Sequence, residues 1–339
     1  MFTLYGTEPS FFTAKARLAL RALGLPFEDR LKSWANKAEI EAATAGYHRF
    51  PVVASDTGEW LVDSTRIGLH LSARVPARSL VPEDPALAIL MRMADDWLDE
   101  WFLRAAILFR AKSAGTRAFV ARVGAMNLLG LHQHDVPEPE QETVIARVIP
   151  GIERFFLSSC ATNGVAGEGI ADAERLLVET CRHLERALAP FLFGRRLSLA
   201  DAALWGFLET GLLWEPEARA WTIEHAPHLA RFHEQAGIAA GDEPGHWDDL
   251  ETCAARLEPI LGGEALGFQP FLEANARAVA AGTGTAIAGM PVPARGFTEK
   301  CRRALESAIA ALPSKDRARL DRAIGHWPLL ATCTEGDPA

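Results

Sequence analysis

Phe50-Pro51-Val52-Val53-Ala54-Ser55-Asp56-Thr57-Gly58-Glu59-Trp60-Leu61-Val62-Asp63-Ser64 is the stretch whose reading decides the fold. Two short runs, 50–55 and 59–63, are rich in β-branched and aromatic residues. They flank Asp56-Thr57-Gly58, and the glycine supplies the turn of a β-hairpin. A helix is predicted directly afterwards, from Ser64 to Ala73. Upstream, Phe2-Thr3-Leu4-Tyr5 predicts a strand ending at Gly6, and Pro26 to Leu31 predicts a second. Between them, Ser10 to Leu23 places Phe11, Ala14, Leu18 and Leu20 at helical spacing, with Gly24 as the stop. The order is β-α-β and then ββ-α, a small open sheet with helices.

Val81-Pro82-Glu83-Asp84-Pro85 is a linker, because its prolines disfavour a helix there. Beyond it the strand signals vanish. Leu87, Leu90, Met91, Ala94, Leu98, Trp101, Phe102, Ala105, Leu108 and Phe109 fall on one face of a predicted long helix over 86–110. Further helices are predicted over 117–130, 140–158, 172–192, 199–212 and 227–239. The Gly/Pro-containing segment 240–246 is a break. Helices are then predicted over 248–257, 268–281, 298–312 and 315–326, with a Gly/Pro-rich gap at 282–296 expected to be mobile. The expected organisation is a sheet domain at 1–80, a linker at 81–85, a helical domain at 86–239 and a helical extension at 240–339.

The chain has 339 residues, 49% hydrophobic and 23% charged, which is ordinary for a soluble globular protein. No run approaches the roughly 18 apolar residues of a membrane span. The net charge is −9, and residues 1–84 are balanced, so the acidity lies in the remainder. With no Lys/Arg cluster, nucleic acid is not expected as a partner. Met1 to Pro9 has no basic stretch before an apolar core, so no secretory leader is expected, and a cytoplasmic location is the default. Five scattered cysteines, none in CxxC spacing, read as reduced thiols. His132-Gln133-His134-Asp135 precedes a Pro/Glu-rich loop without further ligands, and no metal site is expected there. Asp95, Asp96, Asp99 and Glu100 read as a solvated or interdomain hydrogen-bonding face.

Five segments in order resemble the soluble glutathione transferases over about residues 1–239. Leu4-Tyr5-Gly6 followed by Ser10-Phe11-Phe12-Thr13-Ala14-Lys15-Ala16-Arg17 is similar to that family's first strand, active-site loop and first helix. Phe50-Pro51-Val52-Val53 resembles its cis-proline segment, and Leu61-Val62-Asp63-Ser64 its acid/amide-Ser motif. Leu80 to Pro85 resembles its linker, and Leu197-Ser198-Leu199-Ala200-Asp201 its capping-box helix. The loop and the long tail look like a bacterial subgroup with a Ser-type loop. The resemblance implies an α+β, thioredoxin-like N-terminal domain with a mixed four-stranded sheet. An all-α helical bundle with a helical C-terminal extension would follow, and a homodimer is the family's usual assembly.

It also implies glutathione as co-substrate, with its thiolate added to a small hydrophobic electrophile. Two alternatives stand beside this: a non-catalytic binding or interaction protein, and a glutathione-dependent isomerase or dehalogenase. Ser10 is the expected thiolate donor, and it is equally a preferred helix cap; one hydroxyl can do both. Tyr5 is the runner-up, and Thr13 a surface or capping residue. Cis-Pro51, following Phe50, would leave the Val52 N–H and C=O for the cysteinyl backbone. Ser64, at a helix start, would hold the γ-glutamyl carboxylate, and Asp63 the amine. Lys37, Arg49 and Arg17 are candidates for the glycine carboxylate. Phe11, Trp97, Trp101 and Arg104 are candidates for the electrophile pocket, against the plainer reading of aromatic residues as core.

Overall fold

The computed structural model describes residues 1–333. Its N-terminal region runs β1 (Phe2–Gly6), α1 (Phe11–Ala22), β2 (Phe27–Leu31), α2 (Lys37–Ala43), β3 (Val52–Ser55), β4 (Trp60–Val62) and α3 (Ser64–Arg74). Helices follow: α4 (Pro85–Trp97), α5 (Leu103–Ala106), α6 (Leu108–Lys112), α7 (Ala114–Leu128), α8 (Pro139–Thr162), α9 (Gly169–Ala187), α10 (Leu199–Phe207), α11 (Pro216–His225) and α12 (Pro227–Ala239). The remainder is α13 (Leu250–Leu261), α14 (Phe268–Ala281), β5 (Gly284–Ile287), β6 (Met290–Pro293), α15 (Gly296–Ala310), α16 (Ser314–Ile324) and α17 (Pro328–Thr332). This is the expected thioredoxin-like domain followed by a mostly helical part.

The four-stranded sheet has the order β2-β1-β3-β4, parallel between β1 and β2 and antiparallel elsewhere. Side chains alternate between its faces. Leu4 and its partner Val53 are fully buried on one face. Asp29 is in register with Leu4 and ion-pairs with Arg17 of α1, which puts α1 on that face. There α1 packs on α3, and the buried Lys15 ammonium donates to Thr65 Oγ1 at 2.8 Å. Tyr5 lies on the opposite face, stacked on Trp60.

The described residues form two compact units, each discontinuous in sequence. The first comprises 1–80, 109–159 and 201–244; the second comprises 81–108, 160–200 and the chain from 245 onward. In the first, Ala125, Met126 and Ile145 form a buried cluster with Ile152 and Leu129 packed on it. In the second, Trp97, Phe193 and Trp327 are among the largest buried side chains.

Several expectations are corrected. The helix predicted over 86–110 is broken, since α4 runs into a π-helical turn at Leu98–Phe102 and then into α5 and α6. All five residues of that turn are buried, so the apolar pattern carried no sign of the extra residue. The gap at 282–296 holds a β-hairpin: Ala288 and Gly289 both take positive φ (49° and 78°), the geometry of a tight turn joining β5 to β6. Asp95, Asp99 and Glu100 are buried rather than solvated. Glu100 accepts from the Thr298 hydroxyl, and its carbonyl accepts from Arg295 Nη1 at 2.9 Å. The short helix α2 escaped prediction because it buries only Ile40 and so has no apolar stripe.

Gly206 in α10 marks a close approach to backbone in the first unit, since a Cβ there would lie 2.5 Å from the carbonyl oxygen of Phe11. Backbone cannot yield as a flexible side chain does. Gly206→Ala should therefore lower stability by about 2 kcal/mol, read as a shift in urea midpoint at constant slope.

Candidate functional site

The register of the sheet decides what meets at one of its ends. Tyr5 of β1 is opposite Val52 of β3, which is opposite Val62 of β4. Pro51 immediately precedes Val52, Asp63-Ser64 immediately follow Val62, and the loop to Ser10 immediately follows β1. The starts of α1 and α3 therefore open at the same end of the sheet as the Phe50–Pro51 peptide bond, which is cis. Two helix N-termini and an irregular backbone segment converge there, an arrangement that presents N–H groups to an anion.

Ser10 is the N-cap of α1, with extended backbone (φ −97°, ψ 113°), and its Oγ accepts from the Thr13 N–H at 3.2 Å. The hydroxyl proton takes no part in that bond. Asp63 caps α3 through Oδ1, which accepts from the Arg66 N–H at 3.2 Å. It does so at φ 76°, a left-handed conformation that a non-glycine residue adopts at a cost. Strain of this kind gathers where a side chain must be aimed. Ser64 follows it, buried. The Tyr47 phenol lies beside Asp63, and burial together with that carboxylate pushes its pKa up.

The expectation for Val52 does not hold. β3 is an interior strand, and Asp56 N–H donating to the Met1 carbonyl fixes which alternate residues face β1. By that alternation the Val52 N–H and C=O pair with Tyr5. The peptide outside the ladder is that of Phe50, before the cis bond. Its ring has the Lys32 ammonium over it at 5.7 Å. Lys32 is buried, donates to the Tyr47 carbonyl at 2.9 Å and lies 3.4 Å from the Glu41 carboxylate; burial lowers its pKa. Sequence reading had passed over Lys32 and Tyr47, since neither sits in a motif.

The remaining candidates separate clearly. Tyr5 is on the sheet face opposite α1, between Trp60 and Arg30. Thr13 is buried, not a surface residue, and packs under Gly6, where a Cβ would meet it at 2.1 Å. Arg17 is committed to Asp29 at 2.5 Å. Lys37 and Arg49 are exposed, with Lys37 3.9 Å from Glu41. Phe11 is buried with its ring 5.1 Å from that of Phe207. Trp97, Trp101 and Arg104 belong to the second unit and are buried there. The Trp97 and Trp101 indoles donate to the carbonyls of Ala265 and Leu266, and Arg104 to Asp172.

Two clamps on the Ser10 loop were not foreseen. Asn127 of α7 accepts from the Glu8 N–H and the Thr7 hydroxyl, both at 2.8 Å, and donates to Glu8 Oε2 at 2.7 Å. Arg110 of α6 holds the two residues flanking Ser10. Its Nη2 donates to the Pro9 carbonyl at 3.2 Å, and its guanidinium lies 4.4 Å from the centre of the Phe11 ring. Arg110 Nε donates to Glu215 Oε1 at 2.5 Å, and Glu215 is fully buried, which raises its pKa against the pull of the arginine. Neither clamp has a local sequence signature, because each pairs residues about a hundred positions apart.

Removing one partner of a buried pair leaves the other uncompensated. Arg110→Met should cost about 3–5 kcal/mol, and the double variant Arg110→Met/Glu215→Leu should recover most of it. In the single variant the folded state retains a Glu215 proton that the unfolded chain releases. Its stability should therefore fall as pH rises above the ordinary carboxylate range, a slope the double variant lacks. Denaturant melts across pH measure both.

The chain was compared with known proteins. No curated protein matches it. A glutathione transferase homologue from Sulfitobacter, solved with bound glutathione, is 20% identical, with 71% of this chain and 95% of that one covered at a TM-score of 0.41. A beta-etherase from a Sphingobium strain is 21% identical, with 69% and 99% covered at 0.42. A rice glutathione transferase solved in complex with glutathione is 20% identical, with 72% and 91% covered at 0.46. Among protein families, residues 4–79, which contain Ser10, Pro51, Asp63 and Ser64, match the glutathione S-transferase N-terminal domain.

Proposed function

We propose that the chain binds glutathione at this end of the sheet and activates its thiol for addition to a small hydrophobic electrophile. The observation that carries the reading is the convergence of the α1 and α3 N-termini with the cis-Pro51 segment inside the family-matched residues. Glutathione offers two carboxylates, one amine and a peptide backbone. The γ-glutamyl carboxylate takes the N–H and hydroxyl of Ser64, where the helix end favours an anion by about 0.3–1 kcal/mol. Asp63, aimed by its left-handed backbone, takes the amine. The cysteinyl backbone pairs with the peptide of Phe50 in place of Val52. Lys37 and Arg49 are left as partners of the glycine carboxylate, both free to move toward it.

A free thiol has a pKa of about 8.5, so only a few per cent is ionised at neutral pH. Ser10 accepts from the Thr13 N–H and retains a proton to donate, so it stabilises the thiolate without leaving its capping role. A lowering of about two units corresponds to roughly 2.7 kcal/mol. Arg110 and Asn127 act as positioning residues, fixing the backbone on either side of the hydroxyl. With Ser rather than Cys at position 10, no protein thiol is present there for a mixed disulfide, which favours conjugation.

An ultraviolet difference titration with glutathione, on the parent chain and on Ser10→Ala, tests this. The expected result is saturable binding with a thiolate band at neutral pH that the variant loses, while affinity changes less than about tenfold. Binding without a band would replace the transferase with a carrier of glutathione. No binding would remove the reading altogether.

A further inference from the structure

The second unit contains a cavity of about 590 Å³ that has no part in the chemistry above. That volume lies within the range of small-molecule sites, roughly 300–1,000 Å³. It is built from one face of α9, the end of α13, the start of α14 and the β5–β6 hairpin. Apolar and polar surface share its walls about equally, with Trp101 and Phe271 stacked on each other at 5.2 Å and Leu176, Pro259, Leu266, Pro270 and Ile287 beside them.

The turn that forms one wall is held open by design of the backbone. Ala265, Leu266 and Gly267 take three successive positive φ angles (48°, 55°, 92°). The indoles of Trp97 and Trp101 pin the first two carbonyls at 3.0 and 2.9 Å. Gly267 can accept no side chain without crowding Trp101, since a Cβ would come within 3.3 Å of its ring.

The charge in the cavity is one-sided. Of its charged lining residues, Asp172 gives one carboxylate oxygen to Arg104 at 2.6 Å and the other to Arg175, the only basic residue in the lining. Those groups satisfy one another. Glu179 and Glu264 line the same space, and among the described residues neither carboxylate has a side-chain partner. The Trp101 and Phe271 ring faces already carry guanidinium groups, Arg104 at 4.4 Å and Arg295 at 4.5 Å. Recognition therefore falls to the two uncommitted carboxylates, which with the apolar lining beside them are complementary to a positive charge carried on an apolar body.

We propose that this cavity is a binding site for an organic cation, an ammonium group on a flat hydrophobic framework. The framework lies along Pro259, Leu266 and Pro270, and the ammonium meets Glu179 and Glu264. The site is independent of glutathione binding and of Ser10.

Calorimetric titration of the full chain with naphthylmethylammonium, naphthylmethanol and naphthoate tests it, because the three probes share a ring and differ in charge. The cation should bind at one site roughly tenfold tighter than the neutral alcohol, and the anion weakest. Glu179→Gln and Glu264→Gln should each weaken the cation by about three- to tenfold and leave the alcohol unchanged. Ala286→Arg, at the exposed lip, should abolish cation binding. All three positions are exposed or half-exposed, and a circular-dichroism melt checks that each variant is folded. Equal affinity for the three probes, tightest binding of naphthoate, or cation binding that survives all three substitutions would overturn the proposal.

Discussion

Three backbone positions in register, Tyr5, Val52 and Val62, set the constraint on which the first unit depends. Slippage by one residue between β3 and β4 would turn every side chain of the slipped strand to the other face. It would also carry Asp63-Ser64 away from the cis-Pro51 segment. The register is fixed by burial, since Leu4, Val52 and Val53 are fully enclosed and could not be exchanged for Ser55 or Thr3 without exposing apolar surface. What looks like a site assembled from distant motifs is therefore a by-product of sheet pairing. The helices inherit their start points from the strands, and their positive ends gather without any contact having to be made for that purpose.

A loop between a strand and a helix would by itself be the softest part of such an arrangement. Here it is held from both directions. Asn127 closes hydrogen bonds onto Thr7 and Glu8, and Arg110 reaches the Pro9 carbonyl and the Phe11 ring. Both anchors come from helices, the more rigid partners for a positioned group. The buried Glu215 completes the second clamp by accepting from Arg110 Nε, while Nη2 donates to the Pro9 and Thr210 carbonyls. Position of the Ser10 hydroxyl is thus a property of three helices as well as of its own loop.

Much of this was legible in the sequence, and the reasons are local ones. Hairpin chemistry at Asp56-Thr57-Gly58, helix stops such as Gly24 and apolar spacing in 227–239 and 268–281 all act over a few residues, and the structure follows them. The cis bond at Pro51 and the caps at Ser10 and Asp63 also lay where the motifs implied. Features that depend on tertiary partners were not legible. The Val52 peptide was expected to be free because its pairing with Tyr5 is a matter of sheet order, which the pattern of strands leaves open. Asp95, Asp99 and Glu100 read as a solvated or interdomain hydrogen-bonding face because nothing local marks their burial, and the partners of Glu100, Thr298 and Arg295, lie some two hundred residues away. The π-turn at Leu98–Phe102 was invisible because burial on every side erases periodicity.

The pinned turn at Ala265–Leu266 bears on how separable the C-terminal segment is. Trp97 and Trp101 sit in the middle of the chain's helical part, yet their indole nitrogens find their acceptors beyond residue 245. Nearby, Asp84 accepts from Arg319, and Glu83 from the Trp247 indole. A chain cut at that boundary would uncover two tryptophans and leave their donors, and several acids, facing water or one another. The segment is accordingly no appendage that recombination could add or discard at will. Residues 83–104 and the segment beyond 245 are in this sense halves of one core, each completing the hydrogen bonds of the other.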